Sequence, residues 1–167
     1  MQVPFLNSMA KQLLERGPKL LRRPLGLIPF RVKAEILERL LGQLLSQQAD
    51  DEELEFLKGN WVAIDVIDMG LTFEVSFDCR WLIREPQAAA VTFSGHSKEL
   101  LLVAAGKEDP DTLFFQRKLS IEGDTELGLE VKNLLLSTEF DTMPFPIRNS
   151  IEKLAMVIQA LQLKASA

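Results

Sequence analysis

One cysteine and one histidine in 167 residues leave little from which to build a reactive centre. Cys79 stands alone, which excludes an internal disulfide, a cysteine-based zinc site and a self-sufficient iron–sulfur cluster, all of which need several thiolates. Long apolar runs are missing too. The longest, Leu100 to Ala105, falls far short of the roughly 20 residues that a membrane-spanning helix requires. Met1-Gln2-Val3-Pro4 has neither the charged opening nor the apolar stretch of a secretion signal, so a cytoplasmic chain is expected. No Gly-rich phosphate loop, zinc-protease helix or calcium loop occurs, and there is no internal repeat or low-complexity segment.

The remaining reactive side chains have plainer explanations. His96 lies next to Ser97 at a predicted helix start and reads as a loop histidine, because a general base needs a positioned partner. Cys79 falls between Asp78 and Arg80 in a predicted hairpin turn. A nucleophilic thiol wants a lowered pKa, and Arg80 alone is thin support for one, so an inert or merely exposed thiol is expected. Asp109, Asp111, Asp124 and Glu126 could suggest paired carboxylates or a metal site. Their positions at helix starts explain them instead, since carboxylates there satisfy free backbone N–H groups and the helix dipole. The expectation is no catalytic residue, no metal, no cofactor and no enzyme.

What is present is apolar residue and an uneven distribution of charge. The length suits one domain with a single sizeable core, and the 47% hydrophobic content is ordinary for a globular protein. Up to Lys33 there are seven basic residues against Glu15 alone, a net of +6, which leaves −11 for the rest of a chain whose total is −5. A basic, Leu- and Pro-rich leader on an acidic body fits an anionic membrane surface, each Lys or Arg contributing about 1 kcal/mol near acidic headgroups. Lys19, Arg22, Arg23 and Arg31 are the expected contacts, giving a chain peripheral to a membrane. Nucleic acid is the weaker reading, because the leader interleaves its charges with Leu, Ile and Phe instead of stacking or hydrogen-bonding side chains.

Along the chain, Asn7 or Ser8 can cap a short helix that Gly17-Pro18 ends, with Pro24 and Pro29 keeping the next stretch irregular. A stronger helix is predicted from Arg31 to about Gln48, with Leu37, Leu40, Leu41, Leu44 and Leu45 on one wide apolar face. After an acidic turn at Asp50 to Glu53, strands are predicted in meander order: Leu54 to Leu57, then a strand with Val62, Ile64 and Val66 on one face. In the next, Leu71, Phe73, Val75 and Phe77 point inward while Thr72, Glu74, Ser76 and Asp78 face solvent. Trp81 to Arg84 and Ala89 to Phe93 follow, then a helix from Ser97 through Ala105. Asp109 is placed to cap a short helix that begins at Pro110 and ends with Phe114 and Phe115. Leu119 to Glu122 forms a strand broken by Gly123, and Asp124 or Thr125 caps a helix with Leu127, Val131, Leu134 and Leu135 on one face. Ile147, Ile151, Leu154, Ile158 and Leu161 repeat at helical spacing near the end, with Met156, Val157 and Leu163 off that stripe.

The run R-K-L-S-I-E-G-D followed by E-L-G-L-E-V-K-N-L-L resembles the end of the sterol carrier protein 2 (SCP2) domain, where a strand ending in Gly feeds a helix that closes a lipid tunnel. D-P-D-T-L-F-F-Q-R, G-P-K-L-L, P-L-G-L-I-P-F and D-E-E-L-E-F-L-K-G-N-W extend the resemblance from Gly17 to Leu136, toward a bacterial branch of that family devoted to ubiquinone biosynthesis. The resemblance implies an α+β, SCP2-like fold, with a mostly antiparallel sheet of about five strands covered on one face by helices around an apolar ligand tunnel. The chain is then expected to divide into a leader (1–30), a lipid-binding domain (31–141) and, from helical periodicity alone, a C-terminal amphipathic helix (142–167).

By the same resemblance the ligand is a polyprenyl-quinone precursor, ubiquinone or another lipid. The partners are the iron–sulfur proteins UbiU and UbiV and other ubiquinone-biosynthesis proteins, acting in oxygen-independent ring hydroxylation. Strand parity then nominates the tunnel wall: Leu71, Phe73, Val75, Phe77, Val91 and Phe93 on the sheet, Leu41 and Leu45 on the long helix, and Phe114 and Phe115 opposite. A general phospholipid or sterol-type carrier, and an assembly scaffold with an ordinary packed core, are the alternatives.

Overall fold

The computed structural model describes residues 4–104 and 106–138, together with isolated positions between 149 and 165. It is an α+β structure: helices α1 (Pro4–Leu27), α2 (Phe30–Leu44) and α3 (Ser46–Asp50), strands β1 (Val62–Val66), β2 (Leu71–Phe77), β3 (Trp81–Arg84) and β4 (Val91–Gly95), helices α4 (Ser97–Ala104) and α5 (Pro110–Phe115), strand β5 (Leu119–Gly123) and helix α6 (Thr125–Ser137). The five strands lie in the order β3-β2-β1-β4-β5. The meander expectation holds for β1, β2 and β3, which are antiparallel neighbours. β4 departs from it by returning to the far side of β1, where the two pair in parallel. β5 then adds antiparallel to β4.

The segment from Glu85 to Ala90 makes that crossover, and it explains a second departure. Glu74 and Ser76, expected to face solvent, are each 2% exposed. The crossover closes over Glu74, whose carboxylate accepts from Arg84 Nε at 2.6 Å and from the backbone N–H of Gln87 at 2.9 Å. Ser76 donates to the carbonyl of Leu57 at 2.7 Å. Both polar groups are therefore buried with partners, as a low-dielectric setting demands. Arg84 also stacks on Trp61, its guanidinium carbon 3.8 Å from the ring centroid.

Two local expectations fail for identifiable reasons. Leu54 to Leu57 is not a strand: Glu55–Leu57 is a 3-10 turn, with Leu57 N–H bonded to Leu54 O at 3.0 Å. The two leucines, three residues apart, eclipse on one side and both enter the core, at 0% and 3% exposure. The leader is one helix of 24 residues with Pro18 and Pro24 inside it. Each proline deprives one carbonyl of its donor, a cost reduced at the surface, where water can take the orphaned oxygen. α1 docks through Arg22, whose stem lies across Gly70, a residue with φ of 60° at the end of the Ile67–Met69 turn.

Helices α5 and α6 follow their sequence signals. Asp109 caps α5 by accepting from Asp111 N–H, and Asp124 caps α6 by accepting from Leu127 N–H at 3.0 Å. The long helix expected to reach Gln48 breaks at Leu45 into α2 and α3. α6 buries Leu127, Val131 and Leu134 against the sheet, each contributing about 1.5–3 kcal/mol on full burial. Gly128 lets it approach: a methyl there would stand 3.2 Å from Ile121 Cγ2 and 3.4 Å from Val91 Cγ2. The stripe expected at Ile147, Ile151, Leu154, Ile158 and Leu161 lies outside the described residues, whereas Met156, Val157 and Leu163 are described and exposed.

Candidate functional site: an apolar cavity under the helices

The register of the sheet stacks apolar side chains in rows across its inner face. Val75, Val62 and Val91 share one row and Phe73, Ile64 and Phe93 the next. In the third, Leu71 and Val66 are followed by Gly95, which contributes no side chain, and then by Leu119. The space over this face is covered by Leu37, Leu41 and Leu45 around α2, by Leu100, Val103 and Ala104 of α4, and by Val131, Leu134 and Leu135 of α6.

These layers do not close on one another. Between them lies a part-open cavity of about 330 Å³ whose walls are almost wholly apolar. Water needs polar partners to remain in such a space, and these walls provide almost none, so the cavity favours an apolar occupant.

Six of the expected wall residues meet here: Leu41, Leu45, Leu71, Phe73, Val75 and Phe93. The others lie elsewhere. Val91 is 1% exposed but packs toward Gly128 of α6. Phe77 stacks edge-on against Trp81, with ring centroids 5.3 Å apart, and it is Trp81 that reaches the cavity. Phe114 and Phe115 do not form the opposite wall: they are 43% and 81% exposed, because α5 turns Pro110 and Leu113 inward and carries the next two side chains out. α4 and α6 supply that wall instead. The signal for α6 was already in its apolar face, and the inward parity of Val62, Ile64 and Val66 was equally legible. α4 carried none, since Leu100 to Ala105 is apolar on every side.

Lys19, Arg22, Arg23 and Arg31 are all exposed on α1 and at the start of α2. Leu13, Leu20 and Leu27 of α1 are exposed beside them, at 57%, 74% and 86%. His96 and Cys79 are exposed, the latter with φ of 58° in the β2–β3 turn. Asp111 pairs with Lys132 at 2.7 Å. Among the described residues no group of three or more His, Cys, Asp or Glu side chains could hold a metal ion, and no helix is long and apolar enough to cross a membrane.

Comparison with known proteins agrees with this geometry. Residues 37–136 match the SCP-2 sterol transfer family. The chain is 43% identical over 157 residues to "Ubiquinone biosynthesis accessory factor UbiT" of Escherichia coli strain K12, a match covering 93% of this chain and 90% of that protein. The UbiT of Escherichia coli O157:H7 matches with the same figures. Among solved structures, "UbiJ-SCP2 Ubiquinone synthesis protein" superposes with a TM-score of 0.55 at 20% identity, covering 69% of this chain and 98% of that one, which shows a shared fold.

Proposed function

This chain belongs to the SCP-2 sterol transfer family, and from that premise we propose that it is a non-catalytic lipid-binding accessory factor of ubiquinone biosynthesis. The apolar cavity carries the reading. It takes the isoprenoid tail of a polyprenyl-quinone intermediate, or of ubiquinone, and leaves the ring accessible to proteins that modify it. Each CH₂ group moved from water into such a site gains about 0.8 kcal/mol, so a partly enclosed tail suffices for binding.

The ring chemistry is oxygen-independent hydroxylation, and the partners are UbiU- and UbiV-type iron–sulfur proteins, which bring the clusters that a chain with one cysteine does not. Loading occurs at the inner membrane from the cytoplasmic side. There the exposed cations of α1 and α2 meet anionic headgroups while Leu13, Leu20 and Leu27 enter the interface.

The test is to purify the full chain from cells and extract it with organic solvent. A polyprenyl quinone or its precursor in the extract supports the proposal. Diacyl lipid alone would assign a general carrier, and an extract free of lipid would leave a scaffold whose function lies on its surface.

A further inference from the structure

Three connections emerge at one end of the sheet. Leu71, Val66, Gly95 and Leu119 form the last row there, so the Ile67–Met69 turn after β1, the start of α4 after β4 and the turn before β5 stand near one another. Lys19 of α1, Lys98 of α4, and Arg117 and Lys118 of the turn before β5 line one pocket of about 390 Å³. It lies on the outer face of the sheet with Ser94 and Ser120, whose alternation points them away from Phe93 and Leu119 in the apolar cavity. Beside it, α5 turns Pro110 and Leu113 inward and leaves Phe114 and Phe115 exposed, edge to face with ring centroids 5.8 Å apart. The turn beneath the rings is closed by Lys118 N–H to Leu113 O at 2.9 Å and Arg117 N–H to Phe114 O at 3.0 Å, with Arg117 at φ of 59°. The pair is thus a preformed tip that spends two large apolar side chains outside the core.

We propose that Phe114 and Phe115 form a second membrane anchor, inserting into the interfacial layer of an anionic bilayer while Arg117 and Lys118 meet its headgroups. The proposal rests on the membrane contact of α1 proposed above. Charge selects the partner. Lys19, Arg117 and Lys118 are exposed, whereas of the carboxylates lining the pocket only Glu15 is. Asp68 and Glu99 are buried, the first held by Ser97 and the second beside Lys98. Aromatic rings standing clear next to accessible cations match the layering of a bilayer interface, where apolar chains lie beneath anionic phosphates. Because Lys19 shares the pocket with Arg117 and Lys118, a bilayer that meets this cation of α1 reaches those of the tip as well.

The test is sedimentation of the full chain with vesicles of phosphatidylglycerol and, separately, of phosphatidylcholine. Phe115→Ala should weaken binding to phosphatidylglycerol about tenfold, as withdrawal of one Phe ring from an apolar layer does, and Phe115→Trp should retain it. Arg117→Gln with Lys118→Gln should weaken it about 30-fold at low salt and leave phosphatidylcholine binding unchanged. None of these side chains lines the apolar cavity, so affinity for a decyl-tailed benzoquinone should stay within twofold of wild type, which also shows that the variants fold. Equal binding of phosphatidylglycerol by wild type and Phe115→Ala would overturn the anchor, leave the contact of α1 standing and turn the exposed rings toward a protein partner. Failure of the wild type to bind either vesicle would overturn both membrane contacts together.

Discussion

Filling the apolar cavity from its own wall gives the sharpest perturbation. Ala104, on α4, lines the cavity opposite the sheet. Ala104→Phe adds about six carbon atoms, displacing roughly five methylene groups of a bound tail, and at about 0.8 kcal/mol each this removes about 4 kcal/mol of binding free energy. The expected loss is therefore about 10³-fold in affinity. Because the added ring enters existing space, the overpacking cost of about 1–3 kcal/mol that small-to-large changes incur in filled cores should largely be avoided. The assay is titration with a decyl-tailed benzoquinone alongside chemical denaturation of the same variant. Phe115→Ala is the control: Phe115 is 81% exposed, and its removal should change affinity less than twofold. A folded Ala104→Phe protein that binds the probe as tightly as wild type would refute the assignment of the cavity to the tail.

Three further outcomes follow from other parts of the structure. Burial pushes the Glu74 carboxyl pKa up, but hydrogen bonds from Gln87 N–H and Arg84, with the charge of Arg84, outweigh it and hold the group below its ordinary value. Its stabilisation is thus complete above the unfolded pKa of about 4.3 and is lost as pH falls through the lower folded value. Glu74→Gln should cost about 3 kcal/mol near neutrality, as loss of one partner of a buried pair does, with the gap to wild type narrowing toward pH 3 in urea titrations. A gap independent of pH would contradict this. Gly123 has φ of 115°, and a methyl there would collide with the carbonyl oxygen of Ala90. Gly123→Ala should therefore cost about 3 kcal/mol or more, and a melting temperature equal to wild type would contradict the β4–β5 geometry. Replacing Lys19, Arg23 and Arg31 together with Gln should weaken binding to anionic vesicles about 100-fold at low salt, from about 1 kcal/mol per charge. Sedimentation with vesicles of phosphatidylglycerol measures it, and an unchanged bound fraction would remove the membrane role of the leader.

Period-two alternation made β1, β2 and β5 legible, and the Asp109-Pro110 and Asp124 signals placed α5 and α6 to within a residue. The parallel return of β4 was not legible. Adjacent strands in sequence are antiparallel neighbours in a meander, and nothing in the six residues from Glu85 to Ala90 announces that they cross the sheet. The burial of Glu74 depends on that crossover and was hidden with it. Parity along β2 and β4 and the stripe on α2 found six residues of the cavity wall, because both periods report a side chain's direction. They failed for Phe114 and Phe115, where a helix of six residues is too short to define a face and the choice falls to how Leu113 packs. Pro18 and Pro24 misled for a related reason: helix-breaking is a cost to be outweighed, and α1 gains its docking on the Ile67–Met69 turn from residues far away in sequence.

Trp81 lines the apolar cavity and Trp61 lies outside it under Arg84. In a Trp61→Phe variant the remaining indole reports on the cavity alone, since the chain has two tryptophans. Titration with a decyl-tailed benzoquinone should then quench Trp81 emission saturably, with one site per chain. Emission that stays constant, or falls only in proportion to added quinone without saturating, would contradict a lipid tail held between the sheet and its helices.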